Sequence, residues 1–136
     1  MLENLKFHHI GMAVSDIDAT SRHYMDAGYV RTDTVFDPVQ NVKICFLSKA
    51  EMPLLELIAP VDETSPVCNI LNKSGVGPYH CCYEVDEMQQ AICELKKKKF
   101  IPLSRPVTAC ALDNRKICFL FNKDVGLIEL VEKDHE

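Results

Sequence analysis

The feature that most constrains the fold of this chain is a pentapeptide, KICFL, that occurs twice, at 43–47 and at 116–120. The separation of 73 positions between the two copies also places LLEL of 54–57 on LIEL of 127–130. Two apolar segments that match in both order and spacing indicate that the chain is an internal duplication, in which a pair of strands occurs twice.

The duplication reaches the start of each half, with a shift of two residues. At a separation of 71 positions, FHHIGMAV of 7–14 aligns with PYHCCYEV of 78–85, so that His9 falls on His80. The difference between the two separations is the size of a loop insertion, and the matched segments are long enough to align the two halves over most of their length.

Each half has the same order of predicted elements. A strand precedes a helix-start pattern, SDID at 15–18 or DEMQ at 86–89, in which the side chain of Ser15 or Asp86 can accept from a first-turn amide. A helix of about three turns and three extended segments follow, the last two being the KICFL and L-x-E-L strands. We therefore predict an α+β protein built from two tandem β-α-β-β-β modules. The modules are expected at 5–60 and 78–133, and a connector able to form a short helix at 61–77.

Composition limits the function classes. The 136 residues include 15 Lys and Arg against 20 Asp and Glu, a net charge of −5, which argues against nucleic acid or an anionic membrane as a partner. The basic run Lys96–Lys99 closes a predicted helix, where cations complement the helix dipole. No apolar run approaches the roughly 20 residues that span a bilayer, and no signal-peptide pattern is visible, so we expect a cytoplasmic protein. Seven cysteines without a C-x-x-C pair favour free thiols over a disulfide framework.

Four polar residues at matching repeat positions are the candidate functional residues. Side chains alternate between the faces of a strand, so His9 shares a face with the small residue Gly11, opposite the apolar face that packs on the helices. The alignment places His80 in the same way. Glu56 and Glu129 each lie among large aliphatic residues in a core strand, where an ionised carboxylate needs a cationic partner.

Two inward histidines and two inward glutamates suggest one divalent metal with four ligands from the two halves. Nitrogen and oxygen ligands suit Zn, Ni, Co or Mn, and ligand type does not choose among them. The KICFL strands themselves read as ordinary core strands without a chemical role. The remaining histidines have no counterpart of the same type and are expected to be structural or solvated: His8, His23 and His135.

The chain resembles the vicinal oxygen chelate superfamily, which holds glyoxalase I, methylmalonyl-CoA epimerase, extradiol dioxygenases and bleomycin-resistance proteins. The resemblance is carried by HHIGMAVSDID at 8–18, ELIAPVDETSP at 56–66, PYHCCYEVDEM at 78–88 and NRKICFLFNKDVGLIELVE at 114–132. It implies a curved, cup-shaped mixed sheet with helices on its outer face and a metal on its floor. Carried over to this chain, the implied metal ligands are His9, Glu56, His80 and Glu129, and a homodimer is implied as well.

Two histidines and two glutamates look most like glyoxalase I, so we expect a lactoylglutathione lyase acting on a hemithioacetal of a 2-oxoaldehyde and a thiol. By that resemblance Glu129 is the base that moves the proton, and Glu56 is its partner on the opposite face. This reaction and that of methylmalonyl-CoA epimerase both remove a proton next to a carbonyl that a metal polarises. The small-molecule partner is accordingly expected to be a thiol adduct or a thioester.

The main alternative is an acyl-CoA epimerase of the methylmalonyl-CoA type. The epimerase pattern has an acidic residue in the loop before the KICFL strand, where this chain has Val39, although Asp37 lies nearby. An iron dioxygenase is less favoured because Glu56 would fill the position that oxygen needs, and a binding protein is less favoured because all four ligand positions are filled. Asn114 and Arg115, before the second KICFL, are candidate substrate-binding residues.

Overall fold

The computed structural model describes residues 1–134, so His135 lies outside the described residues. The chain divides into two compact units. The first unit comprises residues 9–79, and the second comprises residues 1–8 together with the described residues from 80 onward. Strand β1 (Lys6–Ala13) and strand β6 (Gly77–Val85) each contribute residues to both units.

The first unit continues from β1 with helix α1 (Ile17–Asp26), short strands β2 (Val30–Arg31) and β3 (Val35–Asp37), and the hairpin of β4 (Val42–Ser48) and β5 (Leu55–Pro60). Helix α2 (Val67–Ser74) follows, within the connector predicted at 61–77. The strand order is β2-β4-β5-β1, with β3 also paired to β4. Strand β5 runs parallel to β1 and antiparallel to β4, so it is the central strand of the unit.

The core of the first unit lies between this sheet and α1, on the face towards which alternating apolar residues of β1, β4 and β5 point. The buried residues that form it are Met12, Val14, Ile17, Cys45, Leu47, Leu55, Leu57 and Ala59.

Helix α1 begins one residue later than its sequence pattern suggested. Asp16 is the N-cap, with extended backbone dihedrals, and its carboxylate accepts a hydrogen bond from the Ala19 amide at 3.1 Å. The prediction of Ser15 as the capping residue is therefore wrong, because the adjacent Asp16 supplies an equally good acceptor in the register that the helix uses. At the other end, Lys49 Nζ donates to the carbonyl of Ala27 at 2.7 Å, next to Gly28 with φ +94°.

The second unit contains most of β6, helix α3 (Met88–Lys97), short strands β7 (Ile101–Pro102) and β8 (Val107–Ala109), a 3₁₀ turn (Cys110–Leu112), and the hairpin of β9 (Arg115–Asn122) and β10 (Gly126–Glu132). Its strand order is β6-β10-β9-β7, with β8 also paired to β9. Strand β10 runs parallel to β6 and antiparallel to β9, as β5 does with its own neighbours.

The core of the second unit lies between its sheet and α3. Its buried residues are Val85, Met88, Ala91, Ile92, Leu95, Phe100, Cys118, Leu120, Ile128 and Leu130. Helix α3 is capped by a distant residue, because Glu132 Oε2 accepts from the Met88 amide at 3.0 Å while the N-cap Glu87 makes no side-chain cap. The predicted cap by Asp86 is therefore wrong, since the Glu132 carboxylate of β10 accepts the hydrogen bond from the first-turn amide of Met88.

The two units repeat one register. Phe46 of β4 lies opposite Glu56 of β5, and Phe119 of β9 lies opposite Glu129 of β10. The predicted duplication and the α+β class are confirmed, with two short strands in each module where the sequence suggested one. The exact module limits, 5–60 and 78–133, stay a prediction. Among the described residues, no helix is both long enough and apolar enough to cross a membrane.

Candidate metal centre

The first unit brings together His9 and Glu56, which are 47 positions apart in the sequence. His9 Nε2 lies 3.2 Å from Glu56 Oε1, and both side chains are almost fully buried, with relative exposures of 0% and 4%. The pair forms because β1 and β5 are parallel neighbours with Gly11 opposite Glu56, which puts His9 one diagonal step from the carboxylate on the same face.

The second unit brings together His80 and Glu129 with the same geometry. His80 Nε2 lies 3.2 Å from Glu129 Oε1, and the side-chain exposures are 0% and 3%. Here Cys82 of β6 lies opposite Glu129 of the parallel strand β10, so His80 is again one diagonal step away. Each of the four predicted ligands therefore meets the partner that its own half of the chain supplies.

A phenylalanine ring packs on the histidine of each His–Glu pair, and the sequence patterns did not predict this contact. The ring of Phe46 packs edge-to-face on His9, with centroids 5.7 Å apart and an interplanar angle of 82°. The ring of Phe119 packs on His80 in the same way, at 5.1 Å and 89°. The available signal was the spacing of ten positions from the KICFL phenylalanine to the glutamate, which is the same in both halves.

The chemistry of each pair fits a divalent metal. Imidazole nitrogen and carboxylate oxygen are ligands of Zn, Ni, Co and Mn, with bonds of about 2.0–2.2 Å for zinc. Two such ligands at roughly a right angle around one ion lie about 3 Å apart. The 3.2 Å between nitrogen and oxygen in both pairs is close to that separation. Each pair on its own therefore has the donor types and the spacing of two adjacent metal ligands.

Arg115 makes three intrachain hydrogen bonds. Its Nε donates to the carbonyl of Leu112 at 3.2 Å, its Nη1 to Glu84 Oε2 at 3.1 Å, and its Nη2 lies 3.2 Å from His8 Nε2. Since Arg cannot lose its proton, His8 Nε2 is the acceptor in this contact. These contacts link the start of β9 to the end of β6. The predicted substrate contact of Arg115 would have to use its remaining N–H groups.

Asn114, the other candidate substrate-binding residue, lies in the turn before β9. It is exposed, has φ +62°, and its amide donates to the carbonyl of Ala109 at 3.0 Å. A left-handed conformation is one that asparagine tolerates better than most residues, so the turn itself accounts for its presence.

Asp37, the acidic residue near the Val39 position, is fully buried and holds its own turn. Its carboxylate accepts from the amides of Val39 and Gln40 at 2.9 and 3.0 Å and from Gln40 Nε2 at 2.7 Å. Three hydrogen bonds commit this carboxylate to the loop before β4, while the side chain of Val39 is exposed. The loop therefore presents an apolar residue where the epimerase pattern has an acid.

Two of the core cysteines are unreactive by their environment. Burial raises the pKa of the thiols of Cys45 and Cys118 above the ordinary value of 9.0. A thiol that stays protonated is a poor nucleophile and packs as a small apolar side chain. The two KICFL cysteines therefore belong to the cores.

Comparison with known proteins gives consistent matches over nearly the whole chain. The family model described as the glyoxalase/bleomycin resistance protein/dioxygenase superfamily matches residues 8–119. The mitochondrial methylmalonyl-CoA epimerase of Mus musculus is 34% identical over 130 residues, which cover 92% of this chain and 71% of the mouse protein.

Solved structures agree with these matches. The methylmalonyl-CoA epimerase of Mycobacterium tuberculosis superposes with a TM-score of 0.85 at 26% identity, covering 99% of this chain and 94% of that one. A variant of the Streptomyces coelicolor methylmalonyl-CoA epimerase, in complex with 2-nitronate-propionyl-CoA, superposes with a TM-score of 0.82 at 27% identity, covering 96% and 98% of the two chains.

These matches overturn the expected glyoxalase I activity. The prediction of a lactoylglutathione lyase is wrong, because the relatives are epimerases, which are isomerases. The error has a chemical cause. Both reactions begin by removing a proton next to a carbonyl, so a set of metal ligands and a carboxylate base is compatible with either one.

Proposed function

The chain belongs to the glyoxalase/bleomycin resistance protein/dioxygenase superfamily, and from that membership we propose that it is an acyl-CoA epimerase. Its reaction would invert the carbon next to the thioester carbonyl of methylmalonyl-CoA or a close analogue. The observation that supports this best is the pair of buried His–Glu contacts at repeated positions, in a chain similar to methylmalonyl-CoA epimerases over 92% of its length.

We propose that the two pairs together supply the four ligands of one divalent metal: His9, Glu56, His80 and Glu129. The duplication supports this, because each half provides one imidazole and one carboxylate in the same geometry. Zn, Ni, Co and Mn all remain compatible with the donor set. When bound, such a metal would act as a Lewis acid that polarises the thioester carbonyl and lowers the pKa of the neighbouring C–H group.

The two glutamates would move the proton. Glu129 would take the proton from one face of the carbon, and Glu56 would deliver a proton to the other face, with the roles exchanged in the reverse direction. An epimerase needs an acid and a base on opposite faces, and two carboxylates from two halves of a duplicated chain can supply them. Because Asp37 is committed to its own turn, Glu56 is the carboxylate that we assign to the second face.

Burial strengthens both parts of this chemistry. The carboxylates of Glu56 and Glu129 are 4% and 3% exposed, so water competes little for them. Electrostatic interactions with developing charge are stronger in such a water-poor site than in bulk solvent.

The proposed partners follow from the same reasoning. A CoA thioester is the proposed small-molecule substrate, since the Streptomyces coelicolor epimerase was solved with 2-nitronate-propionyl-CoA. A homodimer and a cytoplasmic location remain proposals that rest on the family resemblance and on the composition.

The test follows methylmalonyl-CoA of a single configuration in D2O by NMR and circular dichroism, with protein loaded in turn with Zn, Ni, Co or Mn. We expect inversion together with deuterium incorporation at the carbon next to the carbonyl, and neither from metal-free protein. Absence of inversion with all four metals, in protein shown to bind them, would overturn the proposal.

A further inference from the structure

In each unit, the strand that carries the glutamate lies between the strand that carries the histidine and the strand that carries a phenylalanine. Strand β5 separates β1 from β4, and strand β10 separates β6 from β9. The rings of His9 and Phe46 therefore meet across the central strand, next to Glu56. The same three residue types occupy the same places in the second unit, as His80, Phe119 and Glu129.

Core packing does not account for these two phenylalanines. Along β4, Cys45 and Leu47 point into the core against α1, while Phe46 lies between them on the opposite face. Phe119 is placed in the same way between Cys118 and Leu120 of β9. Both phenylalanines are only half-buried and lie outside the two core clusters.

The edge-to-face contact restricts a soft torsion. The χ2 angle of histidine is broad and roughly two-fold, so an imidazole can turn over and exchange its nitrogen and carbon positions unless its neighbours prevent it. A perpendicular aromatic ring at 5.1 to 5.7 Å fixes the plane in which the imidazole lies. Within that plane, the contact of Nε2 with the glutamate oxygen at 3.2 Å selects one of the two orientations that a half-turn exchanges.

We propose that Phe46 and Phe119 are positioning residues for the two His–Glu pairs. Each ring holds its imidazole with Nε2 towards the carboxylate and covers one side of that carboxylate from water. The effect on metal affinity rests on the proposed function, whereas the effect on the histidine ring does not. This role accounts for the phenylalanine at the same place in both copies of KICFL, since it is the residue opposite each glutamate.

The test compares Phe46→Leu and Phe119→Leu with a matched control, Phe121→Leu, which changes the next residue on the same face of β9. Phe46→Tyr and Phe119→Tyr keep the ring and serve as rescue variants. If a leucine variant does not fold, Phe→Met at the same position replaces it, because a methionine fills space without a ring. Two quantities are measured: the ring tautomers of His9 and His80 in metal-free protein by ¹⁵N NMR, and the affinity for Co²⁺ by titration.

We expect each leucine variant to convert the tautomer signal of its own histidine from one species to an exchanging mixture. We also expect its affinity for Co²⁺ to fall roughly tenfold, as for other residues that orient metal ligands, while the tyrosine variants and Phe121→Leu stay close to the wild type. Unchanged tautomers in both leucine variants would overturn the proposal. If the wild-type protein itself bound no Co²⁺, the proposed function would fail, and the tautomer measurement would still decide the role of the two phenylalanines.

Discussion

The imidazole of His80 lies against the carboxylate of Glu129, with Nε2 3.2 Å from Oε1, although 49 positions of sequence separate the two residues. His9 and Glu56 repeat the contact at 3.2 Å across 47 positions. The difference of two positions is the loop slip between the halves, so the duplication has kept the contact while a loop changed length. A contact that survives this change is a property of the strand register rather than of the loops.

Substituting either glutamate by glutamine should abolish proton exchange at a different face of the substrate. In Glu129→Gln and Glu56→Gln, a neutral amide replaces the base but keeps an oxygen for the metal, so inversion should fall by about 10²- to 10⁴-fold. Each variant should still exchange deuterium into one configuration of methylmalonyl-CoA, because the other glutamate still serves its own face. NMR of each configuration in D2O, with metal content measured in parallel, checks this. Equal loss of exchange from both configurations in both variants would contradict the assignment of one glutamate to each face.

Arg115 should act on stability more than on substrate affinity. Arg115→Met removes hydrogen bonds to Glu84, His8 and the Leu112 carbonyl, so the free energy of unfolding should fall by about 1–3 kcal/mol. Urea denaturation measures this change, and the KM for methylmalonyl-CoA should stay within about twofold of the wild type, well under the 1.4 kcal/mol that a tenfold change represents. A tenfold rise in KM with unchanged stability would instead support the substrate-binding role first predicted for this residue.

Gly28 and Gly126 should be similarly sensitive to substitution. Both have a left-handed backbone, with φ +94° and +93°, so alanine at either position should cost about 1–2 kcal/mol of unfolding free energy. An added Cβ at Gly28 would lie 3.4 Å from Lys49 Cε, an ordinary contact with a flexible side chain, and nothing lies within 4 Å at Gly126. Thermal denaturation should therefore show similar losses for Gly28→Ala and Gly126→Ala. A much larger loss for Gly28→Ala would mean that the contact of Lys49 with the Ala27 carbonyl also contributes.

Stability should decline in alkaline solution because of the KICFL cysteines. Burial raises the pKa of the Cys45 and Cys118 thiols above 9.0, so their contribution is fully present below pH 9 and is lost as the pH rises through the folded-state pKa values. Urea unfolding midpoints should therefore fall as the pH rises above 9. The Cys45→Ala/Cys118→Ala variant should be less stable at pH 8 but should depend less on pH. An equally steep decline in that variant would assign the effect to other groups.

Alternation along the strands and the repeat were sufficient to predict the α+β fold and to single out the four polar residues. Period-two patterning puts His9 opposite the apolar face, and the repeat extends that placement to His80 without further information. The same reasoning identified Glu56 and Glu129, because a carboxylate among large aliphatic residues requires a partner.

Contacts between strands that are distant in sequence could not be predicted. The packing of Phe46 on His9 depends on β5 lying between β1 and β4, and the cap of α3 depends on Glu132 from the last strand. Helix-start patterns read only local residues, so they cannot anticipate a carboxylate that arrives from 44 positions away. The sequence pattern also could not distinguish the glyoxalase I reaction from the epimerase reaction, because both use metal ligands and a carboxylate base.

The number of metal ions that one chain binds tests the proposed single metal site most directly. Titration of the metal-free protein with Co²⁺, followed by calorimetry and visible absorption, should show one ion per chain. His9→Ala, His80→Ala, Glu56→Ala and Glu129→Ala should each lower that single affinity, since all four residues would hold the same ion. Two independent ions per chain, one lost with each His–Glu pair, would contradict the claim that the duplicated pairs form one site.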